Sequence, residues 1–347
     1  MGGSGNLAYV VARVKARKRF LLKTEEYQKM MGMGIPAIAR YIGESQYARE
    51  VNELGLRFSG ADLVEYALYS NLARSYSEVL GFCRGDLRKG VEAYMKRWDV
   101  YNIKTAMRGR SYGEDPERLV HSFIPAGTLK KECIHALASA QDLDGVISTL
   151  RHTEYYEPLI AGMKKARHER VLPILENALD KYYYSSIFRD IKVRTRGDMA
   201  YLSFLKREID IINLKNILLL KREGVDPSRI TEYIIDGGDE VTGDRLSSIL
   251  SLGFDDIIPH LEVFSFWNGI KAYMQGARET LIPVERALEK FIAMSARSFS
   301  YREPLSILPV MDYLLHKKIE VDNIRIIVRG KEMGIPEERI KDMLILR

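Results

Sequence analysis

One short pattern recurs three times along this chain at nearly constant spacing. Its centre is an asparagine, at positions 102, 213 and 323. In each copy an acidic residue stands three positions before the asparagine, a glycine eleven positions after it and an arginine sixteen after it. This recurrence predicts three similar structural units in one chain. We call the pattern the asparagine motif; its members are Asp99, Asn102, Gly113 and Arg118, then Asp210, Asn213, Gly224 and Arg229, then Glu320, Asn323, Gly334 and Arg339.

The residues around each asparagine are typical of a buried helix face. Apolar residues stand two positions before the asparagine and one and five positions after it, as Val100, Ile103 and Met107 do in the first copy. This is the i, i+3, i+7 spacing of an amphipathic helix. Asparagine is a weak helix former because its side chain competes for backbone partners. Its recurrence beside this stripe predicts a buried hydrogen bond, with the neighbouring Asp or Glu as the expected partner.

The glycine of the motif predicts the end of that helix, because glycine adopts the left-handed C′ conformation without strain. Asp115-Pro116 and Asp226-Pro227 then predict the N-cap and first residue of a following helix. The third copy departs from this pattern, since Ile335-Pro336 has no capping Asp. We assign a structural role in the repeat core to eleven residues: Asp99, Asn102, Gly113, Pro116, Asp210, Asn213, Gly224, Pro227, Glu320, Asn323 and Gly334.

A second pattern, the aromatic motif, precedes each asparagine motif. An aliphatic residue is followed five positions later by an aromatic one, in the pairs Ile42 and Tyr47, Leu150 and Tyr155, and Leu261 and Phe266. The aromatic residue precedes the asparagine by 55, 58 and 57 positions. The constant order predicts three helical repeat units over residues 7–122, 123–233 and 234–347. Residues 1–6 are rich in glycine and lack the apolar core of a secretion signal, which favours a flexible N-terminal arm.

The remaining patterns predict further helices and no sheet. Thr24 is the expected cap of a short helix, and the stretches 165–180 and 285–299 have helical periodicity. Sustained period-two alternation is absent from the sequence. The predicted fold class is therefore all-α, built from helix hairpins in three similar domains.

Composition sets broad limits on function. A hydrophobic content of 46% with 29% charged residues fits a soluble, well-packed protein. The net charge of +6 permits an anionic partner without requiring one. Cys83 and Cys133 lack metal or redox spacing, which favours a reducing compartment. The sequence contains no uncharged apolar stretch long enough to cross a bilayer, so no membrane span is predicted.

Residues with catalytic or metal-binding spacing are absent from the sequence. Asp236–Asp244 resembles a calcium loop superficially but lacks the alternating ligand order and the terminal Glu, so a turn is the better interpretation. Asp99, Asn102 and Lys104 could form a catalytic set, but threefold recurrence favours a structural role. The predictions are therefore no catalytic, cofactor-binding or metal-binding residues and no cofactor. The histidines have no metal-ligand spacing either; they are His121, His135, His152, His168, His260 and His316.

Basic residues cluster in three places: Arg13–Arg19, Lys192–Arg196 and Lys317-Lys318. Aromatic residues are not interleaved with them in a stacking pattern, and the sequence shows no nucleic-acid-binding motif. We therefore predict no nucleic-acid partner. Solvated helix faces are the default interpretation, and contact with an acidic protein surface or lipid headgroups is the alternative.

The order of these features resembles a known family. Tyr9–Arg13 and Leu21–Tyr27 resemble the opening of the C subunits of archaeal (A-type) ATP synthases, a family that includes the d subunit of the vacuolar-type proton ATPases. The three asparagine motifs, two of them with a Gly-x-Asp-Pro segment, are similar to that family. Ile124–Gly127 resembles its Ile-Pro-Gly-Gly element, with Ala126 as a departure. The resemblance covers the chain from residue 7 onward.

The resemblance implies a pseudo-threefold funnel of three helical domains that has no catalytic residues. It further implies a rotor subunit in the central stalk, on the cytoplasmic end of the membrane proteolipid ring. There it would receive the axle subunits D and F and couple ion flow to ATP synthesis or hydrolysis. An all-helical scaffold for soluble protein partners is the alternative function. A helical nucleic-acid binder and an all-α enzyme have less support from the residues.

Overall fold

Helices alone make up the regular structure of the described chain. The computed structural model describes residues 3–166 and 171–346, and no strand occurs among them. The all-α class is thus confirmed. The described residues divide into two compact units: Met1–Asp190 with Lys317–Glu337, and Ile191–His316 with Glu338–Arg347.

The first unit holds the amino-terminal helices and the carboxyl-terminal part of the long helix that carries the third asparagine motif. Packed pairs within it include two long helices that are consecutive in the sequence, residues 60–82 and 85–111. Its described helices are α1 Gly3–Lys18, α2 Thr24–Met31, α3 Ile35–Gly43, α4 Ala48–Leu54, α5 Gly60–Phe82, α6 Gly85–Ser111, α7 Pro116–His121, α8 Lys131–Ser139, α9 Leu143–Thr149, α10 Tyr156–Lys165 and α11 Val171–Asp190.

The second unit contains two long helices that pack against each other, with shorter helices beside them. Turns of 3₁₀ helix lie between these helices, at Thr231–Tyr233, Ile258–Leu261 and Lys271–Gly276. Its helices are α12 Arg196–Arg222, α13 Pro227–Ile230, α14 Gly243–Ser251, α15 Trp267–Ile270 and α16 Ile282–Arg302. The helices α17 Leu308–Glu332 and α18 Glu337–Asp342 each have residues in both units.

The start of α12 shows how local sequence sets a helix boundary. The Asp198 amide donates to Thr195 Oγ1 at 3.1 Å, and the Thr195 amide donates to Asp198 Oδ2 at 2.9 Å. This reciprocal capping box satisfies two backbone donors that would otherwise lack partners. The helix then continues for 27 residues.

The apolar stripe predicted beside each asparagine is buried in all three helices. Burial of this stripe is the main source of helix stability in a folded protein. Its members expose at most 4% of their surface; they are Val100, Ile103 and Met107 on α6, Ile211, Leu214 and Leu218 on α12, and Val321, Ile324 and Val328 on α17.

The three motif glycines end their helices as predicted. Gly113, Gly224 and Gly334 have φ values of 72°, 68° and 68°, the left-handed conformation that side chains disfavour. The residue after each glycine donates its amide to the carbonyl five positions earlier, at 2.8, 2.9 and 2.8 Å. These are the six-to-one bonds of a Schellman motif, which satisfies a terminal carbonyl.

The predicted caps of the following helices are also present. Asp115 accepts a hydrogen bond from the Arg118 amide at 3.1 Å, and Pro116 is the first residue of α7. Asp226 accepts one from the Ser228 amide at 2.9 Å, and Pro227 opens α13. In the third copy α18 begins at Glu337, directly after Pro336.

Two local predictions were wrong. Thr24 is the first residue of α2, and Lys23 occupies the N-cap position. The other is the start of the helix predicted over 165–180: Lys165 ends α10 and Ala166 is extended, whereas 171–180 are helical as part of α11. His168 lies outside the described residues, as do residues 1 and 2 of the predicted arm, and α1 begins at Gly3. The three-unit boundaries and the funnel remain predictions.

Candidate functional site

Asp99, on the buried face of α6, holds the loop that follows α7. Its carboxylate accepts hydrogen bonds from the amides of Thr128 and Leu129, each at 2.8–2.9 Å, and from Thr128 Oγ1 at 2.7 Å. Tyr155 Oη donates to it at 3.0 Å. Asp99 is fully buried. Burial raises the pKa of Asp99, against the opposing effect of the amide and hydroxyl donors.

Gly127 allows this loop to approach Asp99 closely. A Cβ atom at position 127 would lie 2.0 Å from Asp99 Oδ1, well inside van der Waals contact. Only a residue without a side chain therefore lets the adjacent amides reach the carboxylate. This requirement explains the glycine in the Ile-Pro-Ala-Gly segment.

Asn102 fixes the same loop one helical turn further along α6. Its Nδ2 donates to the Ile124 carbonyl at 2.8 Å, and its Oδ1 accepts from the Ile124 amide at 2.8 Å. A single side chain therefore satisfies both backbone groups of one buried residue.

Asp210 on α12 holds a loop in the same way as Asp99 does. It accepts hydrogen bonds from three successive amides, those of Asp239, Glu240 and Val241, at 2.9–3.1 Å. Successive amides that converge on an anion form an anion-binding nest. Burial raises the pKa of Asp210, and the three amides oppose that rise. A Cβ at Gly238 would lie 2.3 Å from Asp210 Oδ1.

Asn213 makes the same pair of bonds as Asn102. It donates to the Ile235 carbonyl and accepts from the Ile235 amide, both at 2.8 Å. The buried hydrogen bonds expected of these asparagines are therefore present, but the expected partner was wrong. The partner is the backbone of the following loop, because the neighbouring acid is already occupied by its own loop amides. Asn323 of the third copy is fully buried.

Glu320 on α17 accepts hydrogen bonds from residues near the start of the chain. The Leu22 amide donates to it at 2.5 Å, Gln46 Nε2 at 2.8 Å and Tyr47 Oη at 2.6 Å. The Leu22 amide takes the position that the Thr128 and Asp239 amides have in the other two copies. No glycine precedes it, since residue 21 is Leu, and the longer Glu side chain reaches the amide.

Lys317 supplies a positive charge to the Glu320 site. Its Nζ donates to Glu320 at 2.8 Å and to Tyr47 Oη at 2.8 Å, and it lies 4.1 Å from the centre of the Tyr47 ring. Both charged side chains are at most 1% exposed. Burial lowers the pKa of Lys317, while the charge of Glu320 acts in the opposite direction.

A second ionic cluster adjoins this pair in the first unit. Arg74 donates to Glu50 at 2.6 and 3.2 Å, and Asn71 Nδ2 donates to it at 3.0 Å. Burial acts to raise the pKa of Glu50, but the bonds from Arg74 and Asn71 hold it below its ordinary 4.5. Arg74 and Asn71 also donate to the carbonyl of Gln46, at 3.2 and 2.8 Å.

Where the aromatic motif ends in tyrosine, its hydroxyl therefore donates a hydrogen bond to the acidic residue of a different copy. Tyr155, of the second copy, donates to Asp99 of the first, and Tyr47 of the first copy donates to Glu320 of the third. Phe266 has no hydroxyl group, and Asp210 instead receives a third backbone amide from Val241.

Sequence reasoning assigned no contact to two basic positions that recur with the motif. Two residues after the asparagine, Lys104 contacts Asp180 at 2.5 Å, Lys215 contacts Glu289 at 3.2 Å, and Arg325 lies 3.6 Å from Glu65. Each contact joins the motif helix to another long helix. The regular spacing was visible in the sequence, but the acids that pair with these residues follow no fixed spacing.

The second of these positions lies eight residues after the asparagine. Lys221 Nζ donates to the carbonyls of Leu250 and Leu252 at the end of α14. Lys331 donates to the Met31 carbonyl at the end of α2, and Arg110 lies 3.5 Å from the Ala140 carbonyl after α8. A cation at this place satisfies carbonyls that a helix end leaves unpaired.

These side chains hold backbone and neighbouring helices, and the described geometry does not bring them together as reactive groups. Among residues 3–166 and 171–346, no three His, Cys, Asp or Glu side chains are placed to hold a metal ion. Burial raises the pKa of the Cys83 thiol to about 11, which makes it a poor nucleophile. Within the same ranges, no helix is both long and apolar enough to cross a bilayer.

Comparison with known proteins decides the family. The sequence matches the ATP synthase (C/AC39) subunit family over residues 10–343. The chain belongs to this family of ATP synthase subunits. The resemblance seen in the sequence is thereby confirmed.

Individual members of the C/AC39 family are similar over their whole length. The A-type ATP synthase C subunit of Methanosarcina mazei is 36% identical over 346 residues, 99% of this chain and 94% of that protein. The C subunit of Archaeoglobus fulgidus is 36% identical over 348 residues, 99% of this chain and 98% of its own. That of Haloferax volcanii is 36% identical over 346 residues, 99% of both chains. As a member of the C/AC39 family, the chain is one component of an ATP synthase complex.

Proposed function

We propose that this chain is a non-catalytic part of the central stalk of an A-type ATP synthase. It connects the proteolipid ring of the membrane sector to the axle subunits D and F, on the cytoplasmic side and without a span of its own. Rotation of the ring is then transmitted to the headpiece, so that ion flow drives ATP synthesis or the reverse. The observation that carries the proposal is the family match over residues 10–343.

The chemistry of the motif residues supports a non-catalytic role. Asp99 and Asp210 are buried, and their carboxylates accept bonds from loop amides and, at Asp99, from two hydroxyl groups. A general acid or base must reach a substrate proton directly or through one water molecule. Carboxylates already occupied by structural donors are unsuited to that task.

Rigid packing supports the transmission of torque. The motif helices are tied to other long helices by buried apolar stripes and by ion pairs such as Lys104–Asp180 and Lys215–Glu289. Close-packed interiors have low compressibility, so a force applied to one helix displaces its neighbours with little deformation. A stalk component that loses little rotation to bending needs such construction within each unit.

A three-component binding experiment tests the proposal. The purified chain is mixed with detergent-solubilised proteolipid ring and with a D–F complex, and the products are separated by size. We expect one complex that contains all three components, and no ATP hydrolysis by the chain alone. Binding to neither component at low salt, or binding only to soluble proteins other than these, would contradict the proposal and favour a helical scaffold.

A further inference from the structure

The net positive charge of this protein is confined to the segment from Met1 to Lys23. That segment contains six basic residues, Arg13, Lys15, Arg17, Lys18, Arg19 and Lys23, and no Asp or Glu. The whole chain has 53 basic and 47 acidic residues. Without these six basic residues the chain has 47 basic and 47 acidic residues. The part of the chain from Thr24 onward is therefore formally neutral. Such asymmetry points to an anionic partner at one location.

Three of these six basic residues are exposed on the outer face of α1 or just after its end. Its inner face is anchored by Val10, Val11 and Val14, which are at most 5% exposed. On the outer face Arg13 and Lys15 are exposed, and Arg19 follows just after the helix end, also exposed. None of these three side chains forms an ion pair within the described part of the chain. Their charges are therefore not neutralised locally.

Glu78 is an acidic residue that approaches α1, and its charge is already shared. It contacts Arg17 at 2.6 Å and Arg74 at 3.1 Å. The Arg13 guanidinium instead lies over the ring of Phe82, 4.4 Å from its centre. A cation held over an aromatic ring keeps its full charge while its stem is immobilised. Arg13 is thus a positioned cation rather than a mobile one.

Two exposed aromatic side chains flank the basic residues. Tyr9 is 51% exposed and Phe20 is 71% exposed. Tyr9, Arg13 and Ala16 fall on one helical stripe, and Phe20 continues the same spacing one turn beyond. Aromatic rings beside Lys and Arg are typical of surfaces that lie at the headgroup level of a bilayer.

We propose that the outer face of α1 docks on the anionic headgroups of a lipid bilayer. Protein interfaces are depleted in Lys, and their aromatic and Arg anchors cluster near the centre of the patch. Here the aromatic residues lie at the two ends, roughly 16 Å apart at about 1.5 Å per residue, with basic residues and alanines between them. This arrangement suits a lipid bilayer, whose anionic headgroups can move to meet the basic residues, better than an acidic protein, whose charges are fixed in place. The inference is independent of the stalk role, since lipid alone is the partner.

Co-flotation of the full-length chain with vesicles tests this inference. The vesicles contain phosphatidylcholine alone or phosphatidylcholine with about 30 mol % phosphatidylglycerol, and each is tested at about 0.01 M and about 0.15 M ionic strength. We expect binding to the anionic vesicles at low salt, little binding to the neutral ones, and a marked loss at the higher salt concentration. Equal binding to both vesicle types, or binding to neither, would overturn the inference.

A charge variant and its matched control locate the binding face. The variant carries Arg13→Gln, Lys15→Gln and Arg19→Gln. Each basic residue near an anionic surface contributes about a fivefold change in binding, so the variant should bind roughly 100-fold more weakly. The control carries Lys89→Gln, Lys131→Gln and Arg151→Gln, which remove three exposed charges elsewhere in the first unit. It should bind like the parent protein, and an equal loss in both variants would contradict the assignment.

Two further experiments test the contribution of Phe20 and the alternative of an acidic protein as the partner. Phe20→Ala should weaken binding several-fold while leaving its salt dependence unchanged. Circular dichroism should show the same helix content and melting temperature in all variants. Retention of the chain on immobilised polyglutamate without any vesicle binding would assign the face to an acidic protein surface, and would overturn the lipid proposal.

Discussion

The Tyr47 hydroxyl donates a hydrogen bond to Glu320 Oε1 at 2.6 Å, across 273 residues of sequence. Lys317 donates to both partners, so a hydroxyl, a carboxylate and an ammonium group form one buried cluster. The cluster attaches the motif helix of the third copy to the aromatic motif of the first. Tyr155 and Asp99 make the corresponding contact between the second and first copies.

Lys317→Met should strongly destabilise the protein, because it leaves Glu320 buried without a compensating charge. Removing one member of a buried ion pair costs about 3–5 kcal/mol. The neighbouring variant Lys318→Met removes a partly exposed cation from Asp322 and should cost about 1 kcal/mol or less. Denaturant unfolding followed by circular dichroism measures both. Equal losses in the two variants would show that Glu320 does not depend on Lys317.

Gly127→Ala should destabilise the loop that Asp99 holds, since the new methyl group would meet the carboxylate at 2.0 Å. Overpacking of this kind costs about 1–3 kcal/mol. Gly81→Ala in α5 is the control, because its Cβ would meet nothing within 4 Å; it should be neutral or slightly stabilising. In an Asp99→Ala background the cost of Gly127→Ala should largely disappear. Simple additivity of the two substitutions would contradict the proposed contact.

Asn213→Leu should lower the free energy of unfolding by about 2–4 kcal/mol, because both backbone groups of Ile235 lose their buried partner. Asn216→Leu, one turn away on α12, removes only a partly buried bond of 3.4 Å to the Tyr233 carbonyl. Its cost should stay below about 1 kcal/mol. A thermal or denaturant melt compares the pair. Similar melting of Asn213→Leu and the parent protein would mean that solvent satisfies Ile235.

Glu50→Gln should be most costly near neutral pH. The pKa of Glu50 is lower in the folded protein than its ordinary 4.5, so its ionised form stabilises the fold above that pH. This contribution is lost as the pH falls through the folded-state pKa. The difference in unfolding free energy between parent and variant should therefore shrink from about pH 7 to about pH 3.5. Glu53→Gln, at an exposed i, i+4 pair with Arg49, should show a small difference at both pH values. A Glu50→Gln penalty that does not change with pH would refute the ionic role of Glu50.

Features that depend on nearby backbone were predictable from the sequence, and features that depend on distant partners were not. Gly224 and Pro227 mark a helix end and a helix start through local conformational preferences, so their roles follow from sequence. The burial of Asn213 followed from its position beside an apolar stripe. Its partner at Ile235 did not, because neither periodicity nor spacing specifies which backbone a side chain meets.

The contacts of Glu320 illustrate the same limit more sharply. Leu22 lies 298 residues away and carries no side-chain signal for the bond, because only its amide takes part. Gly127 and Gly238 were visible as matching positions of the repeat, but the close approach to a carboxylate became evident only from the folded loop. The end of α10 at Lys165 also escaped prediction, because residues 164–170 contain no Gly or Pro to mark a helix end.

Ion-driven ATP synthesis by a reconstituted complex tests the central claim most directly. The membrane sector and the headpiece, each complete, are assembled in vesicles with and without this chain, and ATP synthesis is measured after an ion gradient is imposed. ATP hydrolysis by the headpiece alone is recorded in parallel. We expect synthesis only when the chain is present, with headpiece hydrolysis unchanged by its absence. Gradient-driven synthesis at the same rate without the chain would contradict its role in coupling.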